Sequence, residues 1–373
     1  MKVGTARFCL TPKQLFYLIG YRSENRYEPA TGVHDDIYAN SLLFEENGKE
    51  LFIFSADFLE FEEEMAEEVK TLLHDRYGID RDAVLLSATH NHSSIVSYHR
   101  GWYTGKFDEQ YYEYLLDIIM NSYELCKKNA REATARYGKK VVLGYYGNRN
   151  HPGKPADNEI IVVKFYNSAD KCFAGFVNWA VHSTVISAEN TELTSELAGE
   201  VSKKLFDEFG CYPAMLVGAA GDCSNRNERK GNDFQELERV STALAKEIAE
   251  IPTDEEVLLT RIKIQTLYHT IHHNMELEET PFHLDAKGAV IDLGGLQFFV
   301  FPGELGSVFG IEMKGACKSL GIILGYTNGY YEYFMNQEEY GLSFETIGCK
   351  IPKGEPEKLV EKYIQTSDLL ARS

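Results

Sequence analysis

The 373-residue chain is short of several features that would narrow its class, and each shortage excludes something. Its seven cysteines (Cys9, Cys126, Cys172, Cys211, Cys223, Cys317 and Cys349) are odd in number and contain no C-x-x-C pair. That is the usage of a reducing compartment, not of a disulfide framework. The first residues, Met1–Arg7, hold no apolar signal core, and no apolar run is long enough to span a bilayer. Positive charge is scarce: 38 Lys and Arg against 57 Asp and Glu, a net charge of -19. Such a balance argues against nucleic acid and anionic membrane surfaces as partners. There is no phosphate-binding Gly-x-x-x-x-Gly-Lys-Ser/Thr or Gly-x-Gly-x-x-Gly, and no Gly-x-Ser-x-Gly elbow. Internal repeats and low-complexity linkers are also missing, so residues 1–373 read as one domain. The expectation is a cytoplasmic protein without membrane insertion, acting on a small molecule, its oligomeric state open.

What is present alternates between strand and helix patterns. Leu51–Ala56, Ala83–Ala88, Val141–Tyr146, Ile160–Tyr166, Phe173–Val181, Ala214–Val217, Glu256–Leu267, Ala289–Leu293 and Leu296–Phe301 read as strands. Phe58–Tyr77, Glu109–Ala130, Leu193–Phe209, Phe234–Ile248 and Lys358–Leu370 read as helices. Helices between strands imply parallel units, and consecutive strands imply antiparallel pairs. The fold class is therefore α/β, a large mixed β-sheet flanked by helices. Gly147–Asn158 and Asn225–Asp233 read as long loops, and Tyr268–Lys287 as an irregular stretch suited to a lid or subunit contact.

The chemistry-bearing motifs sit at strand exits, where ligands bind in open α/β sheets. They are Thr89-His90-Asn91-His92-Ser93, His182 after Phe173–Val181, Gly221-Asp222-Cys223-Ser224-Asn225, Glu304 after Pro302-Gly303, and Tyr333 ahead of Glu338-Glu339-Tyr340. Alone, each has a bland structural alternative: paired surface histidines, a half-buried histidine, a helix-start acid, a core aromatic. Two imidazoles and a carboxylate with an open position form a known catalytic zinc arrangement. The cluster His269, His272 and His273 has no matched acid beside it and reads as surface histidines. Cys223 has no basic neighbour to lower its pKa and reads as a small buried residue.

Taken in order, Gly32–Ala39, Ser55-Ala56-Asp57, Ser87–Ser93, Gly147-Asn148-Arg149-Asn150, His182, Gly221–Ser224, Pro302-Gly303-Glu304 and Tyr333–Glu345 resemble the catalytic domain of neutral/alkaline (non-lysosomal) ceramidases. The resemblance spans nearly the whole chain. It implies His90, His182, Glu304 and Tyr333 as Zn²⁺ ligands and cleavage of an amide. It places Ser224 on a serine that works with the metal, Arg149 on a substrate-contacting arginine, and His92 on a non-ligand histidine. Those roles are chemically sensible. Arg149 suits a developing oxyanion, His92 a proton for the leaving amine, and Asp222 the N–H of a ligand imidazole.

Three positions depart from the family pattern: Ser94-Ile95 stands for Gly-Pro, Asn225 for a proline, and Phe344 for a second substrate-contacting tyrosine. A C-terminal immunoglobulin-like domain and a signal peptide are also missing from the sequence as given. The expectation is a zinc-dependent hydrolase of a linear amide, with the chemistry carried over by the resemblance and the substrate, ceramide included, not carried over. An ester hydrolase on the same site, or a non-catalytic binding protein on this scaffold, are the alternatives.

Overall fold

A computed structural model describes residues 1–273, 282–347 and 349–372. The chain builds three mixed sheets in succession. The first contains β1 (Lys2–Cys9), β2 (Tyr38–Glu46), β3 (Lys49–Ala56) and β4 (Val84–Ala88), ordered β4-β3-β2-β1 with Arg131–Glu132 at the far edge. The second contains β5 (Thr134–Val141), β6 (Glu159–Tyr166), β7 (Cys172–Trp179) and β8 (Ala214–Val217), ordered β8-β7-β6-β5 and edged by Glu255–Val257. The third contains β9 (Leu259–His273), β10 (Phe282–Gly294), β11 (Leu296–Val300) and β12 (Leu320–Leu324), in that order.

Each sheet repeats one device. An antiparallel pair is followed by a helix that crosses to a strand lying parallel to the second member. The parallel pairs are β3/β4, β7/β8 and β11/β12. Their crossovers contain α1 (Glu63–Tyr77), α3 (Glu196–Lys204) and α5 (Ser307–Ala316); α2 is Glu109–Asn129, α4 is Phe234–Ala249 and α6 is Glu355–Arg372. This threefold topology leaves no trace of a repeat in the sequence. Packing, not residue identity, is what recurs.

The three sheets share one apolar core. Leu42, Phe44 and Ile53 come from the first, Val163, Phe165 and Phe176 from the second, and Ile291, Phe298 and Ile322 from the third. Each fully buried side chain of this kind contributes about 1.5–3 kcal/mol. Helices α1 to α4 cover the first two sheets through a second core, and α5 and α6 cover the third. The α/β class with helices on the sheet faces is what the sequence pattern predicts. The expected large mixed sheet is divided into three.

Several boundaries differ from the sequence reading. Val141–Tyr146 is not a strand: β5 ends at Val141, and Leu143 beyond it is exposed. The strand is one segment earlier, disguised by Gly138-Lys139-Lys140. Gly138 is required there, because a Cβ would lie 1.9 Å from the Pro252 carbonyl oxygen. The helix expected from Leu193 starts at Glu196, since Leu193 pairs with Val33. Within the irregular stretch, residues 268–273 and 282–287 are regular ladder of β9 and β10. The rest, 274–281, lies outside the described residues.

Candidate functional site

The carboxyl ends of the three parallel pairs meet. Asn91 bridges to Ser183 and Ser87 to Thr327, which ties the exits of β4, β7 and β12 together. From these exits come His90 and His92, His182, Asp222 and Ser224, Glu304, and Tyr326 to Tyr333.

His90 turns inward on a left-handed backbone, φ 56°. Such a conformation costs a non-glycine residue about 1–3 kcal/mol and is kept where the surroundings enforce it. Its Nδ1 lies 2.9 Å from the Leu59 carbonyl oxygen, that of His92 2.9 Å from Gly20 O, and that of His182 3.1 Å from Cys223 O. A carbonyl only accepts, so each Nδ1 carries its ring proton and each Nε2 presents a lone pair. The three rings converge, with ligand atoms within 4.8 Å of one another. His90 and His92 bring their Nε2 atoms to 3.0 Å. His182 Nε2 has no hydrogen-bond partner and faces Glu304 Oε2 at 2.9 Å; His90 Nε2 is 3.6 Å from Oε1.

Lone pairs and a carboxylate aimed at each other repel unless a cation lies between them. Burial pulls the His90 imidazole down to about 3 and His92 well below its ordinary value, so these two rings do not carry that charge at neutral pH. Burial pushes the Glu304 carboxyl up, but His90, His182 and Arg149 more than reverse this and keep it an anion. The donor set is nitrogen and carboxylate oxygen in a buried pocket, which fits a divalent first-row metal.

Glu304 is held by two phenols that the sequence did not single out. Tyr330 donates to Oε1, and Tyr326 to Oε2 at 3.2 Å. Tyr326 also stacks on His90, centroids 4.1 Å apart. Glu304 pairs with Tyr333 across a two-residue parallel bridge. Burial and the nearby Glu304 hold the Tyr333 phenol above its ordinary pKa.

Arg149 reaches the same place from the loop after β5. Its Nε donates to Glu345 Oε1 at 2.6 Å, and one terminal nitrogen donates to Gly221 O at 2.8 Å and to Tyr333 Oη at 3.2 Å. Asn150 donates to the other Glu345 oxygen at 2.6 Å. Ser224 is buried on a short strand paired with Gly147-Asn148, one residue from Arg149.

Two expectations change. Asp222 does not face an imidazole. Its carboxylate accepts from Asn148, from the Ser307 N–H and from the Ser307 hydroxyl, at 3.0, 2.8 and 3.0 Å. It locks the start of α5 against the Arg149 loop, and its neighbour Cys223 serves His182 through the main chain. Phe344 is 73% exposed, while adjacent Glu345 is 2% exposed and turned to Arg149. As for the rival cluster, His269 bonds Glu355 and Lys362 at 2.8 Å each and His272 is exposed. The His273 side chain lies outside the described residues.

Known proteins carry the same arrangement of chain. The model of the neutral/alkaline non-lysosomal ceramidase N-terminal domain matches residues 3–209. Neutral ceramidase from Pseudomonas aeruginosa superposes with a TM-score of 0.84 over 100% of this chain and 74% of its own, at 18% identity. A ceramidase complexed with C2 gives 0.84 over 100% and 75%, at 17% identity. No curated protein sequence matches significantly. No helix among the described residues is long and apolar enough to cross a membrane.

Proposed function

The chain belongs to the neutral/alkaline non-lysosomal ceramidase family, and from that premise we propose that it is a zinc-dependent hydrolase of a linear amide. One observation carries the reading: three converging imidazoles are each fixed through Nδ1 to a main-chain carbonyl, and two of them, His90 and His182, turn Nε2 to the buried Glu304 carboxylate. His90, His182 and Glu304 would hold the ion with Tyr333, and His92 stands beside them. When bound, zinc supplies a Lewis acid for the amide carbonyl and for water.

The chain's own residues do the rest. Arg149, fixed by Glu345 and Gly221, presents a guanidinium to the oxygen where charge develops. His92, its Nδ1–H donated to Gly20, has only the Nε2 lone pair free, so it would take the proton released by the attacking water or Ser224 hydroxyl and pass that proton to the departing amine. Ser224, beside the Arg149 loop, orients the substrate carbonyl or attacks it. Tyr326 and Tyr330 keep both Glu304 oxygens oriented. Asp222 is a positioning residue, acting through Asn148 and Ser307.

The test is metal analysis joined to a panel of matched acyl amides and esters. About one zinc per chain, with amide turnover lost in Glu304→Gln, supports the reading. Full zinc and full activity in Glu304→Gln refutes the ligand set, and ester turnover without amide turnover refutes the amide assignment.

A further inference from the structure

The chain as a whole is acidic, yet one flank of the site is rich in arginine. The Tyr21 ring lies 5.0 Å from the ring of His92, whose Nδ1 is held by the adjoining Gly20 carbonyl. Arg26, Arg226 and Arg229 all act electrostatically on the Tyr21 hydroxyl. Several arginines elsewhere are matched by acids, Arg136 with Asp170, Arg149 with Glu345, Arg239 with Glu236 and Arg261 with Asp292, while Arg7, Arg22 and Arg131 lie over aromatic rings. Among the described residues, none of the three on this flank has a carboxylate oxygen within 4.0 Å.

Arg26 is the most unusual of them. It is 1% exposed, and one terminal nitrogen donates to Ile19 O at 3.3 Å. Its Nε and the other terminal nitrogen are buried without a partner. Burial pulls the guanidinium down to about 10, which leaves it charged at neutral pH. A buried charge with no counter-ion is costly to keep, and its field is little screened by salt. Arg226 is exposed. Its main-chain N–H donates to Ser224 Oγ at 3.2 Å, so it leaves the chain two residues beyond a residue of the site, and its charge reaches Tyr21. Arg229 donates to Thr184 O and Val185 O, at 3.0 and 3.2 Å, on the segment that follows His182.

Opposing charge on this flank is limited. Glu189 acts on Arg26, and Glu196 on both Tyr21 and Arg229. Glu196 already accepts the N–H groups of Ile186 and Leu197, and burial lifts it to about 7, so near neutrality it brings less than a full negative charge. A positive flank with two arginines at the rim and a third buried behind them raises the local concentration of anions and orients them. An uncharged lipid amide gains nothing from it.

We propose that this flank selects an amide substrate bearing a carboxylate, received by Arg226 at the mouth of the site in the field of Arg26 and Arg229. The proposal rests on the amide-hydrolase reading and names its substrate class. A guanidinium suits a carboxylate because its planar N–H groups match the two oxygens.

The test compares N-hexanoylglycine with its neutral counterpart N-hexanoylglycinamide, on the zinc-loaded protein and on Arg226→Gln. The expected result is a kcat/KM about tenfold higher for the carboxylate at low salt, an advantage that shrinks as salt rises. In Arg226→Gln the ratio between the two substrates falls toward one. Equal rates in the wild type, or a ratio that the substitution leaves unchanged, overturn the proposal. If neither amide is cleaved, the amidase reading fails separately, and calorimetric titration with the same two compounds decides this one. Tighter binding of the carboxylate that Arg226→Gln abolishes supports it. Equal binding overturns it, and so does a preference that survives the substitution, which marks a carboxylate on the metal.

Discussion

The Arg149–Glu345 pair offers a quantitative check on how the site is held. The side chains are 7% and 1% exposed and share a 2.6 Å bond. Removing one partner of such a pair leaves an uncompensated buried charge and costs about 3–5 kcal/mol. Glu345→Gln strands the guanidinium on Gly221 O and Tyr333. Arg149→Met strands the carboxylate on Asn150. The double variant strands neither, so it should cost about as much as one single change, a coupling of at least ~2 kcal/mol. For a chain of 373 residues, the unfolding entropy converts about 3 kcal/mol into a Tm shift of about 4 °C. Denaturant melts of the four proteins give the stability cycle, and turnover of an acyl amide gives a second one. Activity should not follow stability: Arg149→Met and the double variant should both lose about 10²-fold or more in kcat, because the oxyanion donor is gone in each. Stability effects that add within about 0.5 kcal/mol would refute the buried pair. Full activity in Arg149→Met would refute its role in the chemistry.

Zinc should stabilise the fold, because His90, His182 and Glu304 come from three different sheets; chelation should lower Tm in the wild type and leave His182→Ala unmoved. Gly20→Ala should abolish most turnover, since Gly20 has φ 107° and an added Cβ would lie 2.5 Å from His92 Cα; wild-type kcat in that variant would contradict the placement of His92. Burial raises Asp57 from its ordinary value to about 7. A carboxyl whose folded pKa is raised stabilises the fold most at low pH, and that contribution is lost as pH climbs from about 4 to about 7. The stability of the wild type relative to Asp57→Asn should therefore fall across that window; a flat difference in urea midpoints would show that Asp57 is solvated, and a rising one that the fold stabilises its charged form.

Strand exits were the legible part of this protein. Runs such as Ala83–Ala88 and Phe173–Val181 are apolar because they are buried on both faces, and the residue that follows must then lie at a sheet edge. That is why His90, His182, Asp222 and Glu304 could be placed at one end of the fold from strand position, while the ligand set with Tyr333 came from the family resemblance. The misread segments fail for physical reasons. In β5, Lys139 and Lys140 face solvent at the sheet's edge and hide the strand. Beyond Tyr268, the hairpin strands are stabilised by each other and by α6, not by an apolar pattern of their own. Within the site, Tyr326, Tyr330 and Glu345 act by reaching across the fold to Glu304 and Arg149. Nothing local in the sequence distinguishes such a tyrosine from a core aromatic. Asp222 was misassigned because adjacency to Cys223 hides which of the two, side chain or main chain, serves His182.

Leu59, Gly20 and Cys223 orient the three imidazoles with their backbone oxygens, and a backbone oxygen is the same whichever side chain is attached. Apart from Gly20, whose backbone excludes a larger residue, these supporting positions are constrained by packing and not by the contact with the imidazole. The coordination geometry is inherited with the path of the chain, so the arginines, loops and aromatics around it can be exchanged without resetting the tautomers. A fold of this kind can keep one reaction centre through extensive divergence and still present a new rim to each new substrate.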